Sequence, residues 1–250
     1  MKTAQVIDFE SDEVKKAMVG VKAKTAANVG AGWWDRRMDA DGVSRSARPS
    51  HRRILATNSD WANYHVMSRT VGGDVFFDDV EKEALKTLIW KMARFCRVRV
   101  LTYCVMGNHF HVLVEVPDRA KLVEEFSGPE GERRLLTHVK CLYSASAVRS
   151  LEAELTKMRE QGRDKDAAAV VESIVARMGD LSRYVKEVKE RFTRWYNKRH
   201  GRRGTLWMDR FKSVLVEDGE ALRTMAQYID LNPVRAGNLG NLGSGKKYQN

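Results

Sequence analysis

From Trp61 onward the hydrophobic and polar positions fall into a readable order. Residues 64–69 alternate as a short strand, Gly72-Gly73 marks a turn, and Asp78-Asp79 stands where a helix cap belongs. Leu85, Leu88, Ile89, Met92 and Phe95 then recur at helical spacing. Residues 97–105, rich in Val, Leu, Thr and Tyr, predict a strand. Gly107-Asn108 predicts a turn, and residues 109–116 a further strand that Pro117 ends. So short a connection implies a hairpin.

Residues 119–190 are charged and helix-forming, with breaks expected near Gly128-Pro129, Gly162 and Gly179. Two or three helices are expected there, the last running through Tyr184, Val188 and Phe192 towards Tyr196. After a loop at 201–204, residues 211–216 read as a strand. A final helix starts at Asp218 or Gly219, with Leu222, Met225, Ala226 and Ile229 on one face and Pro233 near its end. The order strand, helix, strand, strand, helices, strand, helix predicts an α+β fold: an antiparallel sheet with helices on one face. Residues 1–58 read as a peripheral extension. Its basic run (Arg45, Arg48, Arg52, Arg53) suits a linker, a basic arm or a solvated tail alike. Residues 59–238 form the expected domain, and 239–250 a loose tail.

Composition narrows the classes. The chain has 250 residues, 43% of them hydrophobic, enough for a packed core and too many for a wholly disordered chain. No apolar run approaches the roughly 18 residues of a membrane span, so no membrane partner is expected. Asp8, Glu10, Asp12 and Glu13 interrupt the start, which therefore reads as no signal peptide. Three cysteines, Cys96, Cys104 and Cys141, form no C-x-x-C pair and leave one over, which fits a reducing cytosol better than a disulfide framework or zinc ribbon. Forty-four Lys and Arg against 33 Asp and Glu give a net charge of +11, which favours a polyanionic partner.

Three segments carry chemistry. In Asn108-His109-Phe110-His111-Val112-Leu113-Val114, strand alternation sends Phe110, Val112, Val114 and Val116 to the core and His109, His111 and Leu113 to the other face. Two imidazoles so placed have Cα atoms roughly 6–7 Å apart and can share one cation; the pair alone is weak evidence for this, and two half-exposed histidines beside a turn are the plainer reading. In Tyr228-Ile229-Asp230-Leu231-Asn232-Pro233, Tyr228 and Asn232 share a helical face, so a phenol and an amide can enter one cleft. A boundary tyrosine and a C-cap asparagine explain the same pattern. In 191–212, Arg194, Lys198, Arg199, Arg202, Arg203, Arg210 and Lys212 alternate with Phe192, Trp195, Tyr196, Trp207 and Phe211. Cations meet phosphates and flat rings stack on unpaired bases, so this segment is the candidate nucleic-acid surface; some of its rings belong to the core.

Together these segments resemble a known family. The chain is similar to single-tyrosine transposases of the HUH superfamily, in particular the REP-associated tyrosine transposases. The resemblance rests on Tyr64-His65-Val66-Met67-Ser68-Arg69, Phe76-Phe77-Asp78-Asp79 and Tyr103 to His111. It resumes at Trp195 to Gly201, Trp207, Arg210-Phe211-Lys212-Ser213 and Tyr228 to Gly237. Gly107 stands where the family usually has Pro, and 119–178 is a longer helical insertion than usual.

The resemblance implies a ferredoxin-like domain that cleaves and rejoins single-stranded DNA at hairpin-forming repeats through a 5′-phosphotyrosine intermediate. It implies Tyr228 as nucleophile, and His109 and His111, with Asn232, as ligands of Mg2+ or Mn2+. The implied setting is a bacterial cytoplasm and nucleoid. Monomer and homodimer both remain open. Two alternatives stand beside this: a DNA-binding module without cleavage, and a metal nuclease that does not use the tyrosine.

Overall fold

The structure, a computed structural model, describes residues 60–235; the expectations for 1–58 and for the tail at 239–250 lie outside the described residues. Four strands, β1 (Trp61–Arg69), β2 (Arg99–Val105), β3 (His109–Pro117) and β4 (Lys212–Val216), form one antiparallel sheet in the order β2-β3-β1-β4. Helix α1 (Asp79–Cys96) joins β1 to β2, and the long α6 (Leu181–Arg199) precedes β4. This is the ferredoxin-like β-α-β-β-α-β order.

Local chemistry explains the long helices. The Asp78 carboxylate accepts from the backbone N–H of Val80 (2.8 Å) and Glu81 (3.2 Å), capping α1. Asp180 accepts from the Arg183 N–H (3.0 Å) and caps α6. Leu85, Ile89, Met92 and Phe95 of α1 and Tyr184, Val188 and Phe192 of α6 are buried against Tyr64, Val66, Phe110, Val112 and Val114 of the sheet.

The insertion holds α2 (Arg119–Glu125), α3 (Gly128–His138), α4 (Ala145–Glu160) and α5 (Asp164–Val175). That is more helices than the pattern predicts. The missed break follows the 3-10 turn at Val139–Cys141, where the Ser144 hydroxyl accepts from the Ala147 N–H (3.3 Å) and caps α4. Gly128-Pro129 begins a helix, proline being tolerated in a first turn. Leu122, Phe126, Leu135, Val139, Val148, Ile174 and Met178 join the same core as the sheet, so the insertion extends that core.

The last helix departs from the expectation of helices on one face. Helix α7 (Glu220–Asp230) lies across the opposite face, where Ile229 (0% exposed) packs with Cys104, Met106, Leu113 and Val216. The sequence pattern places apolar residues on one side of α7 but carries no sign of which sheet face they meet. Thr102 Oγ1 donates to Asp230 Oδ1 (2.5 Å) and fixes the helix end to β2. Chain reversal before α7 uses Gly219 at φ 79°, ψ −123°, a backbone conformation reserved for glycine.

Ile229 is the one fully buried side chain of α7. Ile229→Ala is expected to weaken the docking of α7 by about 2 kcal/mol or more. Hydrogen exchange of the 220–230 amides should then accelerate roughly thirtyfold, while α1 and α6 amides keep their protection; unchanged α7 exchange would place the grip elsewhere.

Candidate active site

The face that α7 crosses is where the chemistry collects. On β3, His109, His111 and Leu113 point to it, as strand alternation predicts, while Phe110, Val112 and Val114 enter the main core. Pairing sets His111 beside Met67 and Cys104, His109 beside Arg69, and His65 beside Leu113. His65 is therefore the diagonal neighbour of His111 on β1, close enough for side chains to meet. Leu113 is buried under α7, and His111 is 4% exposed.

Hydrogen bonds orient the rings. His65 Nε2 and His111 Nδ1 are 2.9 Å apart. The ring planes differ by 12° with centroids 5.1 Å apart. With facing nitrogens at 2.9 Å, this is an end-to-end, nearly coplanar N–H···N pair and not a face-to-face stack. His109 Nδ1 lies 2.7 Å from Asn108 Oδ1. The Asn108 amide is itself oriented, because its Nδ2 donates to the Gly73 carbonyl (2.7 Å). Its Oδ1 can only accept, so His109 carries its hydrogen on Nδ1 and its Nε2 is left as a lone-pair donor.

Burial lowers the basicity of all three imidazoles. His111 is pushed down to about 4 by burial, with His65, His109 and Arg69 adding to the effect. Burial first and Arg69 second lower His109. At neutral pH these are therefore neutral rings with lone pairs to offer.

Tyr228 comes to this cluster from the last turns of α7. Its ring centroid is 6.1 Å from that of His111 and 6.3 Å from that of His65, both edge-on, and the residue is 40% exposed. The tyrosine expected with the strand histidines thus has its ring against His111 and His65, within one chain. Asn232 lies in the following turn, α8 (Asn232–Arg235), after a break at Leu231. Its amide Nδ2 is buried and has no partner, and no hydrogen bond joins it to either histidine.

The two strand histidines fit a divalent cation by their donor set: neutral rings on one face, with the Nδ1 side of each already engaged and the Nε2 side left over. Among the described residues no three His, Cys, Asp or Glu side chains form a metal-binding group, so any further ligands come from Asn232, water or substrate.

The basic segment divides. Arg194, Lys198, Arg203, Arg210 and Lys212 are exposed. Arg199 is held by the buried Glu81 carboxylate (3.3 Å), which also takes His200 Nε2 (2.9 Å). Arg202 lies over the Phe76 ring (4.8 Å). Trp207 is a correction: it is 7% exposed, packed against Phe77, Phe110 and Phe192. Its indole N–H donates to Thr193 Oγ1 (3.0 Å) and the Lys189 carbonyl (3.3 Å). A ring so enclosed builds the core and offers no face to a base. Tyr196, the tyrosine of that segment, is also buried.

Three residues near the site carry no role in the sequence reading: His65, Arg69 and Asn108. His65 and Arg69 alternate on β1 with the core residues, a signal that was present, but only strand pairing shows that they adjoin His111 and His109.

Residues 59–132 match the sequence model of a family described as "Transposase IS200 like". That segment, which includes His65, Asn108, His109 and His111, is transposase-like in sequence, in keeping with the resemblance read from its motifs. Tyr228 and Asn232 lie beyond it. Among solved structures, the chain is similar to a REP-associated tyrosine transposase bound to a REP hairpin, at 13% identity and TM-score 0.43, covering 76% of this chain and 75% of that one. It is also similar to a Deinococcus radiodurans protein solved as a candidate transposase, at 14% identity and TM-score 0.32, covering 71% and 95%. No curated protein matches. Among the described residues no helix is long and apolar enough to cross a membrane.

Proposed function

We propose that the chain is a single-tyrosine transposase or endonuclease that cleaves and rejoins single-stranded DNA at hairpin-forming repeats. The observation that carries this reading is the Tyr228 phenol beside a pair of strand histidines on one sheet face. The transposase-like segment at 59–132 supports it, and the similarity to a protein bound to a REP hairpin suggests the kind of substrate.

In this mechanism the Tyr228 oxygen attacks a backbone phosphorus. The phenol gives up its proton to water, a P–O bond forms to its oxygen, the bond to the 3′-oxygen breaks, and that oxygen leaves as a 3′-hydroxyl after taking a proton from water. The 5′-phosphotyrosyl ester keeps the phosphodiester energy, so a second 3′-hydroxyl can reverse the step without a nucleotide cofactor. An ordinary phenol is about one part in a thousand ionised at pH 7, a shortfall of roughly 4 kcal/mol. His109 and His111, with Asn232 as a third side chain, would hold the divalent cation. Bound there, Mg2+ or Mn2+ supplies Lewis-acid polarisation of the scissile phosphate. Imidazole donors favour Mn2+ over Mg2+ in vitro.

The strand's approach is marked by charge. Arg69 on β1 and Lys212 on β4 are exposed on the same sheet face as the histidines, and neither pairs with a carboxylate among the described residues. Lys212 pairs with Met67, and Val214, 57% exposed, pairs with His65. Arg203 and Arg210 are exposed as well. Arg69→Ala with Lys212→Ala should weaken single-strand binding and flatten its salt dependence by about two charges. A gel-shift series across salt concentrations reads this, and an unchanged slope moves the DNA path off this face.

The decisive experiment incubates labelled single strands carrying a hairpin with protein and Mn2+ and separates products in SDS. An SDS-resistant protein–DNA band is expected. A salt-sensitive gel shift without such a band would make the chain a binding module, and cutting without a band would make it a tyrosine-independent nuclease.

A further inference from the structure

We infer that His65 is a positioning residue: its Nε2 accepts a hydrogen bond from His111 Nδ1 and so locks His111 in the tautomer whose Nε2 lone pair is turned out of the pair. The contact is short and nearly coplanar, the geometry of a directed N–H···N bond. One hydrogen lies between the rings, and it belongs either to His111 or to His65.

Surroundings decide which. Were the hydrogen on His65, His111 would be neutral with its own hydrogen on Nε2. That N–H would sit in a residue 4% exposed, where water has little access and no protein acceptor stands among the described residues. Were the hydrogen on His111, the remaining N–H of the pair would be His65 Nδ1, and His65 is only half-buried, so water can take it. The second arrangement leaves the free N–H on the residue that water reaches more readily.

It also matches the neighbouring ring, whose state is fixed independently. Asn108, oriented by the Gly73 carbonyl, makes His109 the Nδ1–H tautomer. His65 does for His111 what Asn108 does for His109, and both rings then offer Nε2. Partners of this kind orient a ligand ring and raise its basicity towards a cation. The cation-holding consequence rests on the function proposed above; the tautomer assignment does not.

Nitrogen-15 NMR of the imidazoles in the metal-free protein tests the assignment directly. Wild-type His111 should show a protonated Nδ1 and a bare Nε2. In His65→Leu the hydrogen should move to Nε2, and in His65→Gln, whose carbonyl can still accept, it should stay on Nδ1. His109, held by Asn108, should be unchanged in all three, and its signals report that the site is folded. Titration with Mn2+ alone should show affinity reduced roughly 10- to 100-fold in His65→Leu and largely restored in His65→Gln. Wild-type His111 with its hydrogen on Nε2 overturns the inference whether or not the protein cuts DNA, and so does an unshifted tautomer in a folded His65→Leu. A wild-type protein with the assigned tautomer that binds no Mn2+ upholds the inference and removes the cation from the proposed reaction instead.

Discussion

Tyr228→Phe should give no SDS-resistant adduct under conditions where the wild-type chain gives one. The expected fall is roughly a thousandfold or more, because removing a covalent nucleophile deletes the bond-forming atom and leaves nothing to slow. Phenylalanine keeps the ring, whose edge meets His65 and His111, so the substitution removes only the oxygen from the cluster. Binding of the same single strand should survive within about threefold, since the cationic surface is untouched. Helix α7 should also stay docked, because Ile229 and the Thr102–Asp230 bond hold it and Tyr228 is largely on the outside. Adduct formation by Tyr228→Phe would remove Tyr228 from the reaction. The tyrosine of the basic segment, Tyr196, is 6% exposed and packed against Phe77 and Phe192, a poor place from which to reach a phosphate.

His111→Ala carries the second large effect, and His109→Ala should act in the same direction. Cleavage is expected to fall about 100- to 1,000-fold, the scale of losing one strong electrostatic contact to a reacting phosphate. DNA binding should persist, because the substitutions leave the exposed cations, Arg69 and Lys212 among them, in place. The two substitutions differ in structural cost. His111 is nearly enclosed between the sheet and α7 and its removal leaves His65 without its ring partner, so some loss of stability accompanies it. His109 is less buried, and its hydrogen-bond partner Asn108 keeps a second anchor at Gly73, so His109→Ala gives the cleaner kinetic reading. Thermal melting beside a cleavage assay in Mn2+ separates the two contributions. Full cleavage by a folded His109→Ala protein would remove the cation-holding pair from the mechanism.

Much of this architecture is written along the chain. The helical spacing of Leu85, Ile89, Met92 and Phe95, with Asp78 ahead of them, predicts α1 and its cap. Alternation through His109–Val116 predicts which residues enter the core and which face away. These are local matters: a helix repeats every 3.6 residues and a strand every two, so a periodic sequence states its own buried side. The motifs that suggest a phenol and two imidazoles are local as well, each contained in a few consecutive residues.

Other features have no local expression. Trp207 sits among arginines and lysines in the sequence and inside the core in the fold, because a ring's neighbours in space are set by α1, β3 and α6 together. The missed start of α4 at Ser144 and the face chosen by α7 are of the same kind. Above all, that Tyr228 meets His111, and that His65 and Asn108 hold the two strand rings, depends on which strands pair and in what register. Pairing joins residues as far apart as Asn63 and Val216, and its outcome is a property of the whole core. The residue types and the faces they occupy were settled by the sequence alone; their meeting was settled only when the sheet closed in the order β2-β3-β1-β4 and α7 crossed it, since hydrophobic burial is non-directional and takes its geometry from every element at once.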